Sequence, residues 1–169
     1  MRLGQWSYSV CGNLCNDTMS TPAKQVGDFI AKFDPSVARV VRSARSVLRK
    51  RFPTAVELVY DNYNALAIGY STSDRVSDVL FSLAVYPRWV DLYFMNGRSL
   101  PDPHGLLRGS GKKGAFVRLD DLSVLDQASV KSLIAAALQY SSSSLPAKGK
   151  GYTIIKSISA KQRPRRTGV

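Results

Sequence analysis

Three short stretches of this chain carry side chains suited to binding, and each lies where an apolar run stops. Tyr60, Asn62, Tyr63 and Asn64 offer aromatic faces beside amides that both donate and accept hydrogen bonds, a set that suits a small polar ligand or a peptide edge. Arg88 and Trp89 put a guanidinium next to an indole, a pair that also stabilises a hairpin when the two stack. Arg108, Gly109, Ser110, Gly111, Lys112, Lys113 and Gly114 make a basic glycine loop, in which successive N–H groups suit a phosphate or carboxylate.

That loop satisfies the letters G-x-G-x-x-G, but a dinucleotide site needs them between a strand and a helix, and here an apolar strand pattern, Ala115, Val117 and Leu119, follows. A Walker loop would need a further glycine five residues before Gly111, and Ser110 does not sit on a strand-to-helix elbow. His104 is the single histidine and stands with Asp102 in a bend stiffened by Pro101 and Pro103, so a triad has no basis. Glu57 with Asp61, and Asp120 with Asp121, are spaced along strands and loops and are expected to be solvated or capping groups. No catalytic residue and no cofactor emerge.

The elements that must position these residues are legible from periodicity. Thr21-Pro22 reads as a helix start, followed by Val26, Phe29, Ile30 and Phe33 at helical spacing. Asp34-Pro35 repeats the signal, with Val37, Val40, Val41, Ala44 and Leu48 as the inner face and Arg39, Arg42, Arg45 and Arg49 as a basic outer stripe ended by Pro53. Five alternating runs follow: Val56, Leu58 and Tyr60; Leu66, Ile68 and Tyr70; Phe81, Leu83 and Val85; Val90, Leu92 and Phe94; and Ala115, Val117 and Leu119. Their short joints predict an antiparallel meander. Asp126 is expected to cap a closing helix marked by Val130, Leu133, Ile134, Ala137 and Leu138. The fold class is therefore α+β, an antiparallel β-sheet of about five strands with two N-terminal helices and one C-terminal helix packed on it. Residues 1–20 read as an irregular extension, 21–140 as the domain, and 141–169 as a basic segment that is partly docked, with an edge strand over 152–158 and mobile residues from 162 onward.

The 24 Lys and Arg against 12 Asp and Glu leave a net charge of +12, which draws nucleic acid, acidic membranes or anionic metabolites without choosing among them. Cys11 and Cys15 are too few for a disulfide scaffold and lack partners for a zinc site, so no metal is expected. No apolar run approaches the roughly 18 to 20 residues that span a bilayer. A cytoplasmic protein without a membrane partner is expected, with translation starting at Met19.

Ile30-Ala31-Lys32-Phe33-Asp34-Pro35, the run from Glu57 to Leu66, Tyr86-Pro87-Arg88-Trp89, Leu100-Pro101-Asp102-Pro103, the run from Gly105 to Gly111, and Gln162-Arg163-Pro164-Arg165-Arg166 resemble the YdhG-like family, a bacterial domain of unknown function. The resemblance covers roughly Pro22 to Arg166 and implies a small α+β fold. Some YdhG-like proteins are described as frataxin-like iron chaperones, which implies iron delivery, yet such binding relies on acidic surfaces that this basic chain lacks. The residues themselves favour a non-enzymatic module that binds an anionic small molecule or a protein segment through Tyr60, Asn62, Tyr63, Asn64, Arg88, Trp89, Arg108, Gly109, Gly111 and Lys112. The alternatives are the iron chaperone and salt-sensitive nucleic-acid binding through Arg39, Arg42, Arg45, Arg49 and the tail.

Overall fold

The computed structural model describes residues 20–166, so the expectations for the N-terminal extension, for Cys11 and Cys15 and for a start at Met19 lie outside the described residues. Helix α1 (Pro22–Ala31) begins as its sequence dictates: the Thr21 hydroxyl accepts the Lys24 N–H at 3.3 Å, and Pro22 takes a first-turn position that needs no N–H. Helix α2 (Pro35–Arg51) turns Val37, Ala38, Val41, Ala44 and Leu48 inward. Among the described residues no helix is long and apolar enough to cross a membrane.

Five strands then form the meander: β1 (Val56–Asp61), β2 (Leu66–Ser71), β3 (Val79–Val85), β4 (Val90–Phe94) and β5 (Ala115–Arg118), each antiparallel to its predecessor. Helix α3 (Ala128–Gln139) packs on β3, and β6 (Thr153–Ile158) follows it to lie beside β1. The sheet order is β5-β4-β3-β2-β1-β6. The sheet is therefore mixed and six-stranded rather than antiparallel and five-stranded, because a connection long enough to carry a helix returns the chain in the same direction, and β6 pairs with β1 in parallel. Asp126 does not cap α3, whose cap position is Gln127; its carboxylate instead meets Arg51 at 2.6 Å and Lys131 at 3.6 Å.

The helices share one core with Leu66, Ile68 and Tyr70 of β2, Phe81, Leu83 and Val85 of β3, Val90, Leu92 and Phe94 of β4, and Val117 of β5. These are the alternating residues that the sequence marks. Strand β1 departs from expectation. Its register sets Glu57 opposite Tyr70, Val59 opposite Ile68 and Asp61 opposite Leu66, so the helix-facing residues are Glu57, Val59 and Asp61 rather than Val56, Leu58 and Tyr60. The two carboxylates are neither solvated nor capping: Glu57 is 1% exposed and Asp61 0%.

Carboxylates at such positions need partners, since an unpaired buried charge is costly. Glu57 receives Arg45 in a two-pronged contact, Nε to Oε1 at 2.9 Å and Nη2 to Oε2 at 2.8 Å, and also Arg49 at 2.5 Å and the Thr153 hydroxyl at 2.7 Å. One side chain thus ties α2 to β1 and to β6. Burial alone would push the Glu57 carboxyl up, but the hydrogen bond and charge of Arg45, with Thr153 and Arg49, outweigh it and hold the group below its ordinary value.

Replacing Glu57 by Gln keeps the shape but strands the half-buried guanidinium of Arg45, and should cost about 3–5 kcal/mol in urea unfolding at neutral pH. The depressed carboxyl contributes stability that is complete above its unfolded value of 4.5 and is lost as pH falls through the lower folded value. The gap between wild type and Glu57→Gln should therefore narrow below that pH; a gap that stays constant in acid would show that Glu57 is not charged in the folded protein.

Candidate functional site

Alternate turns of a meander lie at the same end of a sheet, so the β1–β2 turn at residues 62–65 and the β3–β4 turn at residues 86–89 become neighbours. Each is closed by its own backbone: the Asn62 N–H donates to Ala65 O at 3.0 Å and the Tyr86 N–H to Trp89 O at 2.9 Å. Asn62, Tyr63, Asn64 and Arg88 are thereby exposed at one rim.

The third wall comes from a segment expected to be mobile. Residues 162–166 are instead held against the end of β1, and Arg165 is buried with 5% exposure. Its Nη2 donates to Asp61 Oδ1 at 3.1 Å and to the Asn62 carbonyl, and its guanidinium lies 5.4 Å from the Phe33 ring. Lys32 takes the other Asp61 oxygen at 2.6 Å, and Gln162 Nε2 donates to the Asp61 carbonyl at 3.2 Å. Asp61 is the anchor that a polar, basic composition conceals. With the tail fixed, the Arg163 N–H donates to Tyr63 O at 3.0 Å and its guanidinium stacks 5.5 Å above the Tyr63 ring.

These three segments enclose an open cavity of about 740 Å³, lined by Asn62, Tyr63, Asn64, Ala65, Tyr86, Pro87, Arg88, Trp89, Arg163 and Pro164. The Tyr86 and Trp89 rings lie 5.4 Å apart at 33°, and Arg88 sits 5.6 Å over the indole. Arg118 stacks on the same indole at 4.9 Å and donates its Nε to Asp91 Oδ1 at 2.5 Å. Burial, and secondarily the charge of Asp91, pushes the Tyr86 hydroxyl above its ordinary range, so it stays a neutral donor. Burial likewise pushes the Asp91 carboxyl up, against the pull of Arg118.

Of the ligand-binding residues marked by the sequence, Asn62, Tyr63, Asn64, Arg88 and Trp89 meet in this cavity. Tyr60, Arg108, Gly109, Gly111 and Lys112 do not line it. Tyr60 belongs to the opposite face of β1, where burial raises its hydroxyl and leaves it without a hydrogen-bond partner. Arg108 pairs through its backbone with Phe116 at 2.8 and 2.9 Å, which adds a bridge outside β5, and Gly109 turns the chain there at φ +117°. In the glycine loop the carbonyls of Gly111 and Lys113 accept from Arg98, so the connection is held by its oxygens. Asp102 accepts the N–H groups of Leu106 and Leu107 at 2.9 and 2.7 Å, which makes the bend around the exposed His104 structural.

The basic stripe of α2 is also redistributed. Arg45 and Arg49 face Glu57, while Arg39 and Arg42 are exposed. Arg163 and Arg165 carry no signal of a site in their residue types beyond charge, and only the contact of Arg165 with Asp61, which sets Arg163 against Tyr63, reveals one. Among the described residues, no three His, Cys, Asp or Glu side chains stand together as a metal centre would need. No family model, no curated protein and no solved structure matches the chain.

Changing Arg165 to Ala leaves the Asp61 carboxylate with Lys32 alone, and should lower stability by about 1.5–3 kcal/mol, the worth of a hydrogen bond to a charged group. Faster hydrogen exchange at the Arg163 amide should accompany it. Arg166→Ala, at an exposed position, should stay within about 0.5 kcal/mol. Equal effects at the two positions would mean that the tail is not fastened through Asp61.

Proposed function

We propose that this chain is a binding module whose cavity between the two turns and the tail receives an anionic small molecule with a planar part. The observation that carries this reading is the pairing of guanidinium groups, Arg88 and Arg163, with aromatic walls, Tyr63, Tyr86 and Trp89, in one space of about 740 Å³. That volume falls within the roughly 300–1,000 Å³ of small-molecule pockets. The guanidinium forks match carboxylate or phosphate oxygens in pairs, the rings take a flat apolar group, and the Asn62 and Asn64 amides select for polar edges. The lining is built from guanidinium, amide and aromatic side chains, with no carboxylate, histidine, cysteine or serine, a set suited to recognition.

The segments with these residues, around Asn62 to Asn64, Pro87 to Trp89 and Arg163, are among those that carry the resemblance to the YdhG-like family. An iron-carrying role draws no support from the buried carboxylate beneath the tail, because both oxygens of Asp61 are engaged by Lys32 and Arg165.

A thermal-shift series with citrate, adenosine monophosphate and inorganic phosphate tests the reading. A ligand present at a hundred times its Kd stabilises by about 2.7 kcal/mol. That should raise the Tm of a domain this size by roughly 5–10 °C. Arg88→Ala and Arg163→Ala should each remove most of the shift without changing the unliganded Tm by more than about 2 °C. A full shift in the double variant would place the ligand elsewhere, and no shift with any of the three compounds would overturn the anionic ligand class.

A further inference from the structure

At the other end of β1 a second basic feature stands apart from the cavity between the turns. Two hollows of about 390 and 320 Å³ adjoin along α2 and share Ser46 and Arg49 as a common wall. The first is also lined by Arg42 and Gly27, the second by Lys50, Lys150 and Tyr70. Arg42, Ser46 and Arg49 recur at i, i+4 and i+7, on one side of the helix. Arg42 to Arg49 spans about 10 Å at 1.5 Å per residue, enough for more than one phosphate. No carboxylate lines either hollow, and Glu57, which Arg45 and Arg49 reach from the furrow wall, is neutralised by them.

Arg49 and Lys50 have a simpler role, since cations at a helix C-terminus balance its partial negative charge. Two observations exceed that role. Arg42 stands in the middle of α2, and Lys150 arrives from the segment before β6, so neither belongs to that last turn. Gly27 lies inside α1 although a Cβ there would meet nothing within 4 Å, so no packing inside the chain demands the glycine, while its absence of side chain keeps the hollow open.

We propose that this furrow is a second anion site, which takes ligands with consecutive phosphates. The phosphate tail of a nucleoside triphosphate and the backbone of a nucleic-acid strand share that chemistry. Arg42, Lys50 and Lys150 supply the charge, Ser46 supplies a hydroxyl donor, and Gly27 leaves the floor clear.

Calorimetry at low salt on the full chain tests it, with tripolyphosphate, orthophosphate and a short oligothymidylate as probes. Tripolyphosphate should bind at least about tenfold tighter than orthophosphate, and Arg42→Ala or Lys150→Ala should each weaken it by about tenfold, the loss of one charge-assisted contact. Gly27→Leu should weaken binding while leaving the Tm unchanged or raised, since Leu favours helix over Gly. Arg88→Ala, in the other cavity, should leave this binding untouched, so failure of one site is told apart from failure of the other. Competition between oligothymidylate and tripolyphosphate, with steep loss in salt, would identify a nucleic-acid strand as the source, and tripolyphosphate binding alone a free phosphate chain; both outcomes support the furrow. Equal affinity for orthophosphate and tripolyphosphate, or undiminished binding by Arg42→Ala and Lys150→Ala, would overturn it.

Discussion

The structure turns on two carboxylates placed where a sheet normally shows hydrophobes. Glu57 and Asp61 sit four residues apart on the helix-facing side of β1, about 13 Å at the rise of an extended strand. Neither can be buried charged without cations, and the fold supplies them from separate elements: α2 at Glu57, joined there by the Thr153 hydroxyl of β6, and the end of α1 and the C-terminal tail at Asp61. Both ends of β1 are thereby fixed by side chains to the helices that cover it and to the C-terminal tail, in addition to the backbone pairing with β6. The cavity between the turns and the basic furrow along α2 lie at these same two ends, because the cations gathered to neutralise a carboxylate come with neighbours that have no carboxylate left to meet.

The net charge of +12 takes on a more specific meaning in this light. Glu57, Asp61 and Asp91 are all less than 5% exposed, each beside an arginine, so a quarter of the chain's 12 acidic residues are withdrawn from the surface. The surface that remains is more one-sidedly basic where their partners' neighbours emerge. Focused fields of this kind raise the local concentration of anions before any contact forms.

Helix faces and four of the five meander strands could be read from the chain because their apolar residues keep one period, as Val26, Phe29 and Ile30 do in α1 and Leu66, Ile68 and Tyr70 in β2. In β1 the same rule points to the wrong face, since Val56, Leu58 and Tyr60 outnumber Val59 as hydrophobes and an acidic residue reads as solvent-facing. The alternation of polar and apolar residues cannot tell an exposed glutamate from one clamped by two arginines at a sequence distance of 8 and 12. The cavity was half legible for a topological reason: turn residues announce themselves, and a meander brings alternate turns together, so Asn62 to Asn64 and Arg88 to Trp89 converge. The glycine loop announces itself equally well but belongs to the β4–β5 connection. Arg163 was hidden because Arg165, its anchor, looks like any other charge in a basic tail until Asp61 is seen beneath it.

Burying Arg165 is not an efficient way to gain stability. Its Nε and Nη1 have no partners, and a well-packed hydrophobic residue in place of a buried ion pair is often as good or better. What the pair supplies is position. A hydrophobic residue would accept many orientations of residues 162–166, whereas Nη2 must reach both Asp61 Oδ1 and the Asn62 carbonyl, which sets the chain two residues earlier so that Arg163 lies over Tyr63. The desolvation of one arginine thus fixes the direction of another, and it is the second that faces the cavity.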